Sequence, residues 1–482
     1  MLGELPRTLD ETYIRVLKEI DETNRVEVYR LLQCLVVSIR PLHVEELSEI
    51  LAIDFEDAEG IPKLNPDWRW EDQERGLQAA CSSFISIVDT GLSRVVQFSH
   101  FSVKEFLTSD RLACAGGDVS RYHVSLESAH TVLAQACLSI LLRLDDSDIK
   151  IPDKDTSDED RPVVEPHRPE LLDLRPVAAG FPLAGYAAEH WVTHAQFKNV
   201  SLYLRKEIDY LFDPDKPQFS AWFKLYNIDQ YLYNKSSFFA WYTPDDDAIN
   251  ATPLYYASLC GLHDLAERLI SNHPEHVNAN GGLFMTPLAA ALEANHFRVA
   301  QILCQHGADV NVCGMWRPTP LWYASKDGHP ELVELLLSHG AKVNYPCIHS
   351  LSGLTPLHWA AMRGYLDVAR TLFRHNADVN VRDQKVQTPL HRAAEAGNRD
   401  MVLFLLQHGA DVEARDYWGT TPLYLSTIYR RLEVIRVLLE HGADVEAEHN
   451  GGKTAFQLAS EQRFSDIMTL MSKYRAKHEG KS

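Results

Sequence analysis

Residues 353–380 read GLTPLHWAAMRGYLDVARTLFRHNADVN, and the reading of this stretch decides the fold. Thr355 is placed as a helix N-cap, its side-chain oxygen taking a hydrogen bond from one of the N–H groups left unpaired at a helix start. Pro356 follows at the first helical position, where its fixed φ suits the helix and its missing N–H leaves nothing unsatisfied. Leu357, Ala360 and Ala361 fall on a face meant for neighbouring helices, and the alanines permit close approach. Gly364 ends this helix in a left-handed conformation. A second amphipathic helix follows, as in the ELVELLLSHG that starts at Glu331 and is closed by Gly340, and the chain then enters a hairpin-like finger.

The same unit recurs. Thr-Pro-Leu stands at Thr252, Thr286, Thr319, Thr355, Thr388 and Thr421, at steps of 34, 33, 36, 33 and 33, and a further 33 lands on Thr454 in KTAF. A 33-residue period opening on Thr-Pro-Leu-His resembles the ankyrin repeat. The resemblance covers 248–476 and implies seven units, each burying its apolar face only against its neighbours. The three extra residues of the 36-residue step fall in a finger around YPCIHSLSG, and turn glycines two residues before the cap threonine stand at Gly353, Gly419 and Gly452. Repeat seven, with Ala455-Phe456 in place of Pro-Leu and a polar tail, reads as a C-terminal cap. The register also disposes of a phosphate-binding reading of Gly452-Lys453-Thr454, because the glycine that such a loop needs five residues before Gly452 is Ala447.

The chain has 482 residues and a net charge of −20, which sets nucleic-acid phosphate and anionic lipid against it as partners. No apolar run is long enough to span a bilayer. Eight scattered cysteines without a CxxC pair suit reduced thiols, so the expected compartment is the cytoplasm, with the nucleus as the alternative.

The N-terminal half has another character. Residues 24–39 and 43–53 each form a helix, and a third covers WEDQERGLQAAC. Residues 84–98 alternate around Thr90-Gly91 as a β-hairpin. Ser102 to Glu105 reads as a capping box for the helix that follows. Three helices and a hairpin make winged-helix order over 24–112. Residues 113–245 form a helical linker, broken by an acidic, proline-bearing loop at 145–176. PQFSAWFKLYNIDQYLY is expected to dock on the first repeat. The fold class is thus mainly α: a winged-helix and helical half, then an α-solenoid.

LPRTLDETYIRVL, the winged helix and VQFSHFSVKEFLTSD resemble the segments that follow the ATPase in fungal NACHT-type, NLR-like proteins. The resemblance implies that 1–23 is a remnant following an ATPase module. That module's phosphate-binding half is not in the sequence, so nucleotide binding is not carried over.

The candidate chemistry is weak. His190 and His194 stand four apart beside Glu189, a spacing that can share a metal, yet Trp191 holds the place of a metalloprotease glutamate. The acidic run from Asp153 has Asp158 and Val164 where a calcium loop needs Gly and Glu. Ser99, His100 and Ser102 sit at a strand-to-helix junction where caps belong. The winged helix carries nine Lys and Arg against fifteen Asp and Glu, a poor DNA surface. No catalytic residue, cofactor or metal ligand is therefore assigned. The expected function is non-enzymatic binding of a protein partner by the sensor or scaffold half of an NLR-like signalling protein, with an ATPase domain in the same or another chain. A NACHT ATPase fragment and an ankyrin DNA-binding regulator are the alternatives. The surface is expected at positions four, seven and eight after each cap threonine and at the finger tips: Tyr256, Tyr323, Trp359, Arg363 and Arg392, with Met315, Trp316, Tyr417 and Trp418.

Overall fold

The computed structural model describes residues 7–55, 62–69, 72–81, 83–91, 93–145, 147–150, 177–178, 180–228, 251–312, 319–346 and 353–479. The chain divides into two compact units, Met1–Thr243 and Pro244–Ser482. No helix among the described residues is long and apolar enough to cross a membrane.

In the first unit, helices Arg25–Val37, Val44–Leu51 and Gln73–Cys81 precede the hairpin of strands Ile85–Asp89 and Arg94–Phe98. Strand Leu42–His43 pairs with the second hairpin strand, Leu42 opposite Val96, to complete a three-stranded antiparallel sheet. This is a winged helix. Helix Arg7–Glu19, expected as a remnant of a preceding module, packs into it. Tyr13 lies against Phe84 and Phe106, with ring centroids 5.9 and 5.3 Å away.

The cap at the end of the hairpin corrects the sequence reading. Helix Phe101–Leu107 is capped by His100, whose Nδ1 accepts the Ser102 N–H at 3.2 Å. The Ser102 hydroxyl is buried between His100 Nδ1 and the Tyr13 hydroxyl, 2.7 Å away. An imidazole nitrogen does the work that the capping box gave to Ser102 and Glu105.

The remainder of this unit is helical, with Leu126–Leu141, Ala184–Ala195, Arg205–Leu211 and Pro217–Leu225 as its main pieces. Ile149–Lys150 pairs with Val177–Ala178, so the expected loop begins and ends in a two-stranded ribbon. Residues 151–176 lie outside the described residues. Of the aromatic segment 217–233, Trp222 sits in this unit's own core, at 5.9 Å from Trp191 and 5.4 Å from Phe212, with its indole N–H donating to the Ala188 carbonyl. Residues 229–250 lie outside the described residues.

The second unit is the repeat array. Its inner helices are Pro253–Leu259, Pro287–Glu293, Pro320–Asp327, Pro356–Arg363, Pro389–Ala396, Pro422–Ile428 and Ala455–Glu461. Each starts one residue after one of the seven aligned threonines, and each threonine is the N-cap. Leu357, Ala360 and Ala361 are buried, and Gly364 stands at φ +75°. In the finger before repeat five, Val386 occupies the turn position that Gly353, Gly419 and Gly452 hold elsewhere, at φ 62°, where a β-branched residue is strained.

Two sets of side chains tie neighbouring units together, the first in repeats four and five. His358 Nδ1 accepts the Thr355 N–H at 3.2 Å, while its Nε2–H donates to the Gln387 carbonyl of the following finger at 2.9 Å. His391 does the same between Thr388 and the Thr420 carbonyl, at 3.1 and 3.0 Å. On the outer side, Asn380 donates to the Gly409 carbonyl and accepts the Asp411 N–H. Asn278 and Asn311 repeat this clamp toward repeats two and three.

Burial holds the His358 imidazole neutral, its pKa pushed down to about 4, and His391 is shifted the same way for the same reason. In the unfolded chain each takes up a proton near pH ~6.5. Stability from these groups is therefore complete above pH ~6.5 and is lost as the pH falls toward about 4, by an amount on the order of 3 kcal/mol for His358. The array should melt at a lower temperature at pH 5 than at pH 7.5, and the His358→Gln, His391→Gln double variant should show a smaller difference. Circular dichroism melts at the two pH values check this; an equal pH dependence in the variant would refute it.

Candidate protein-interaction surface

The finger before repeat six is built from its base upward. Asp416 accepts the N–H groups of Trp418 and Thr420 on one carboxylate oxygen, at 2.9 and 2.8 Å. Its other oxygen accepts the Gln387 side-chain amide at 3.0 Å. Gly419 makes the turn at φ +72°. The tip is stitched to both neighbours: Tyr417 N–H donates to the Lys385 carbonyl, and Asn450 N–H donates to the Trp418 carbonyl, each at 2.9 Å. The backbone is thus fixed, while the Tyr417 and Trp418 side chains stand 69% and 50% exposed. Their rings meet edge to face at 5.7 Å, and the Lys385 ammonium lies 6.0 Å from the Trp418 ring.

Along the inner helices, the slot four residues after the cap is a packing slot. Tyr256 and Tyr323 are 1% and 5% exposed. Trp359 is half-buried, edge-on to Trp322 at 5.1 Å. Arg392 is largely buried and ion-paired to the buried Asp383 at 2.5 Å, with Glu395 at 3.4 Å. In repeat one the slots at seven and eight are also buried, as Leu259 and Cys260, but in repeats four and six they open outward. Arg363 is exposed, 6.0 Å from the Trp359 ring, and Ile428 and Tyr429 are exposed at the end of the repeat-six helix.

Family models match this architecture. A model of ankyrin repeats, three copies long, matches over residues 226–314, 254–347, 322–416 and 390–481. The chain belongs to the ankyrin-repeat family. Residues 19–116 of this ankyrin protein match the model described as GPI inositol-deacylase, winged helix domain. The ankyrin protein is also similar to the azaphilone pigments biosynthesis cluster protein L of Monascus ruber, at 32% identity over 315 residues, or 63% of this chain. That match covers 60% of the relative's length.

The expected surface residues thus separate into groups. Tyr256 and Tyr323 are corrected from surface to core, because the neighbouring inner helices cover that slot. Arg392 is corrected to an ion-pair partner of Asp383, and Trp359 to a packing residue with one open edge. Arg363, Tyr417 and Trp418 are open to solvent. Met315 and Trp316 lie outside the described residues. Ile428 and Tyr429 were missed, although the rule of seven and eight after the cap points straight to them.

The acidic run from Asp153 lies outside the described residues; the other weak chemical candidates resolve as structure. His194 is buried and held neutral, its pKa pushed down to about 3 by burial. Its Nδ1 meets His130 Nδ1 at 2.9 Å, and its Nε2 meets the Tyr186 hydroxyl at 3.0 Å, so both nitrogens are engaged and neither is open to a metal. Lys453 pairs with Glu461 at 2.8 Å, and Thr454 caps a helix. In the winged helix, Glu74 pairs with Arg94, which removes one wing cation from any DNA contact.

Trp418→Ala should leave the melting curve of the ankyrin protein within ~0.5 kcal/mol of the parent. Trp359→Ala should cost at least ~1 kcal/mol, short of the ~3–5 kcal/mol of a fully buried aromatic. Urea denaturation measures both, and equal losses would mean that the two side chains are not divided between tip and core.

Proposed function

We propose that this ankyrin protein is a non-enzymatic interaction protein, the sensor or scaffold half of an NLR-like signalling assembly, and that it holds a protein partner on its repeat array. The observation that carries the reading is the Tyr417–Trp418 tip: two aromatics on a backbone braced from both sides, left in solvent while most aromatics of the array are packed. Rigid, exposed Tyr and Trp are the side chains from which protein interfaces draw most of their energy. Arg363, Ile428 and Tyr429 extend the same surface along the inner helices. The neighbouring charge is mixed, with Lys385 beside Trp418 and Glu395 beside Tyr429, which suits a protein surface better than a phosphate backbone.

The winged helix supports the NLR-like part of the reading. In that arrangement it would relay occupancy of the repeats to an ATPase, in the same chain or another. The buried position of Ser102 between Tyr13 and His100 supports a structural role for the one serine–histidine pair that invited a nucleophile reading.

A photo-crosslinking amino acid placed at Tyr417, or at the exposed Arg399 on an outer helix, tests the surface in extracts of the native cell. The expected result is a discrete protein adduct from position 417 that disappears when Trp418→Ala is combined with it, and none from position 399. Identical adducts from both positions, or none from 417, would contradict the proposal.

A further inference from the structure

Repeat one departs from most of its siblings at one place. The outer helices of repeats two, five and six end in His-Gly-Ala-Asp, at His306, His408 and His441. In three of these units the histidine Nδ1 hydrogen-bonds the carbonyl four residues back: His306 to Ile302, His408 to Phe404 and His441 to Val437. Repeat one has His273-Pro274-Glu275-His276 at the same place. Here the His273 Nδ1 faces Glu275 Oε1 at 3.3 Å instead.

The local backbone explains the grouping. Outer helix His263–Asn272 ends at His273, and Pro274 opens a short 3-10 turn, Pro274–Asn278. In a 3-10 turn, side chains three apart eclipse one another. His273 and His276 accordingly lie ring over ring, with centroids 5.1 Å apart and planes at 19°. One ligating atom from each of His273, Glu275 and His276 lies within 4.8 Å of the others. The sites around Zn²⁺ ask for donors ~2.0–2.2 Å from the ion, and so ~3.4 Å from one another in a tetrahedron. The His273–Glu275 edge already has this length, and small side-chain rotations close the rest.

We propose that His273, Glu275 and His276 bind one divalent transition ion of the zinc class. Two imidazoles and one carboxylate are the donor set for such an ion, whereas Ca²⁺ and Mg²⁺ take oxygen ligands. The fourth position is left to water. The ion would join the end of the outer helix to the turn that carries Asn278, which accepts the Asp309 N–H at 2.8 Å and donates to the Gly307 carbonyl at 3.1 Å. Occupancy therefore stiffens the link between repeats one and two.

The test titrates the metal-stripped full chain with Zn²⁺ by calorimetry, and with Co²⁺ by visible absorption, alongside His273→Ala, His276→Ala and Glu275→Gln. These side chains lie at or near the surface, and circular dichroism of the metal-free variants confirms that each still folds. The parent should take up one ion with ligand-field bands of nitrogen and oxygen coordination. Each histidine variant should bind at least ~10-fold more weakly. Hydrogen exchange of the peptide around 269–278 should slow on adding Zn²⁺ to the parent and not to the variants. A parent that takes up no Zn²⁺, or histidine variants that bind it with parental affinity and stoichiometry, would overturn the proposal.

Discussion

The imidazoles at position three after the cap threonines of repeats four and five are the joints that tie repeats four, five and six together. His358 and His391 each face two ways, accepting a backbone N–H in their own unit and donating to a carbonyl of the next finger. One nitrogen must be bare and the other protonated, so the side chain works only as a neutral ring. Burial enforces that state. In repeat one the same slot is filled by Tyr255, whose hydroxyl accepts the Phe284 N–H of the next finger at 3.1 Å. The chemistry changes while the reach to the neighbour is kept. A repeat of this size cannot enclose a core alone, so its stability is an interface term.

The inner-helix surface is divided alongside these joints. Neighbouring inner helices cover the slot at position four, while in repeats four and six side chains at positions seven and eight stay outside. Tyr323 and Trp359 therefore stabilise, while Arg363, Ile428 and Tyr429 remain available. The fingers obey the same logic. Asp416 saturates itself on backbone N–H groups, so the tip is rigid and its aromatics do not need to pack for the loop to hold its shape. A braced loop with exposed rings loses little entropy on binding, which favours affinity.

Thr-Pro-Leu spacing located every N-cap of the array, because a cap is a local event between residues two or three apart. The winged helix was legible for the same reason, in two helical periodicities and one alternating hairpin. What escaped depended on partners distant in sequence. The Ser102 hydroxyl is engaged by Tyr13, 89 residues away, and so is not free to cap. Burial of Tyr256 and Tyr323 needs the neighbouring helix in place. The core position of Trp222 needs Trp191 and Phe212 beside it. The His-Pro-Glu-His cluster of repeat one stands in the sequence where repeats two, three, five and six have His-Gly-Ala.

If the array is a chain of pairwise bridges, breaking one should be felt locally. Hydrogen exchange on Asn380→Ala measures this most directly, since Asn380 holds the Gly409 carbonyl and the Asp411 N–H. The account predicts faster exchange over 409–416 and in the adjoining helices of repeats four and five, corresponding to ~1–2 kcal/mol of lost protection, with the amides of repeat one unchanged. Unaltered exchange at 409–416, or a uniform acceleration along the whole array, would contradict it.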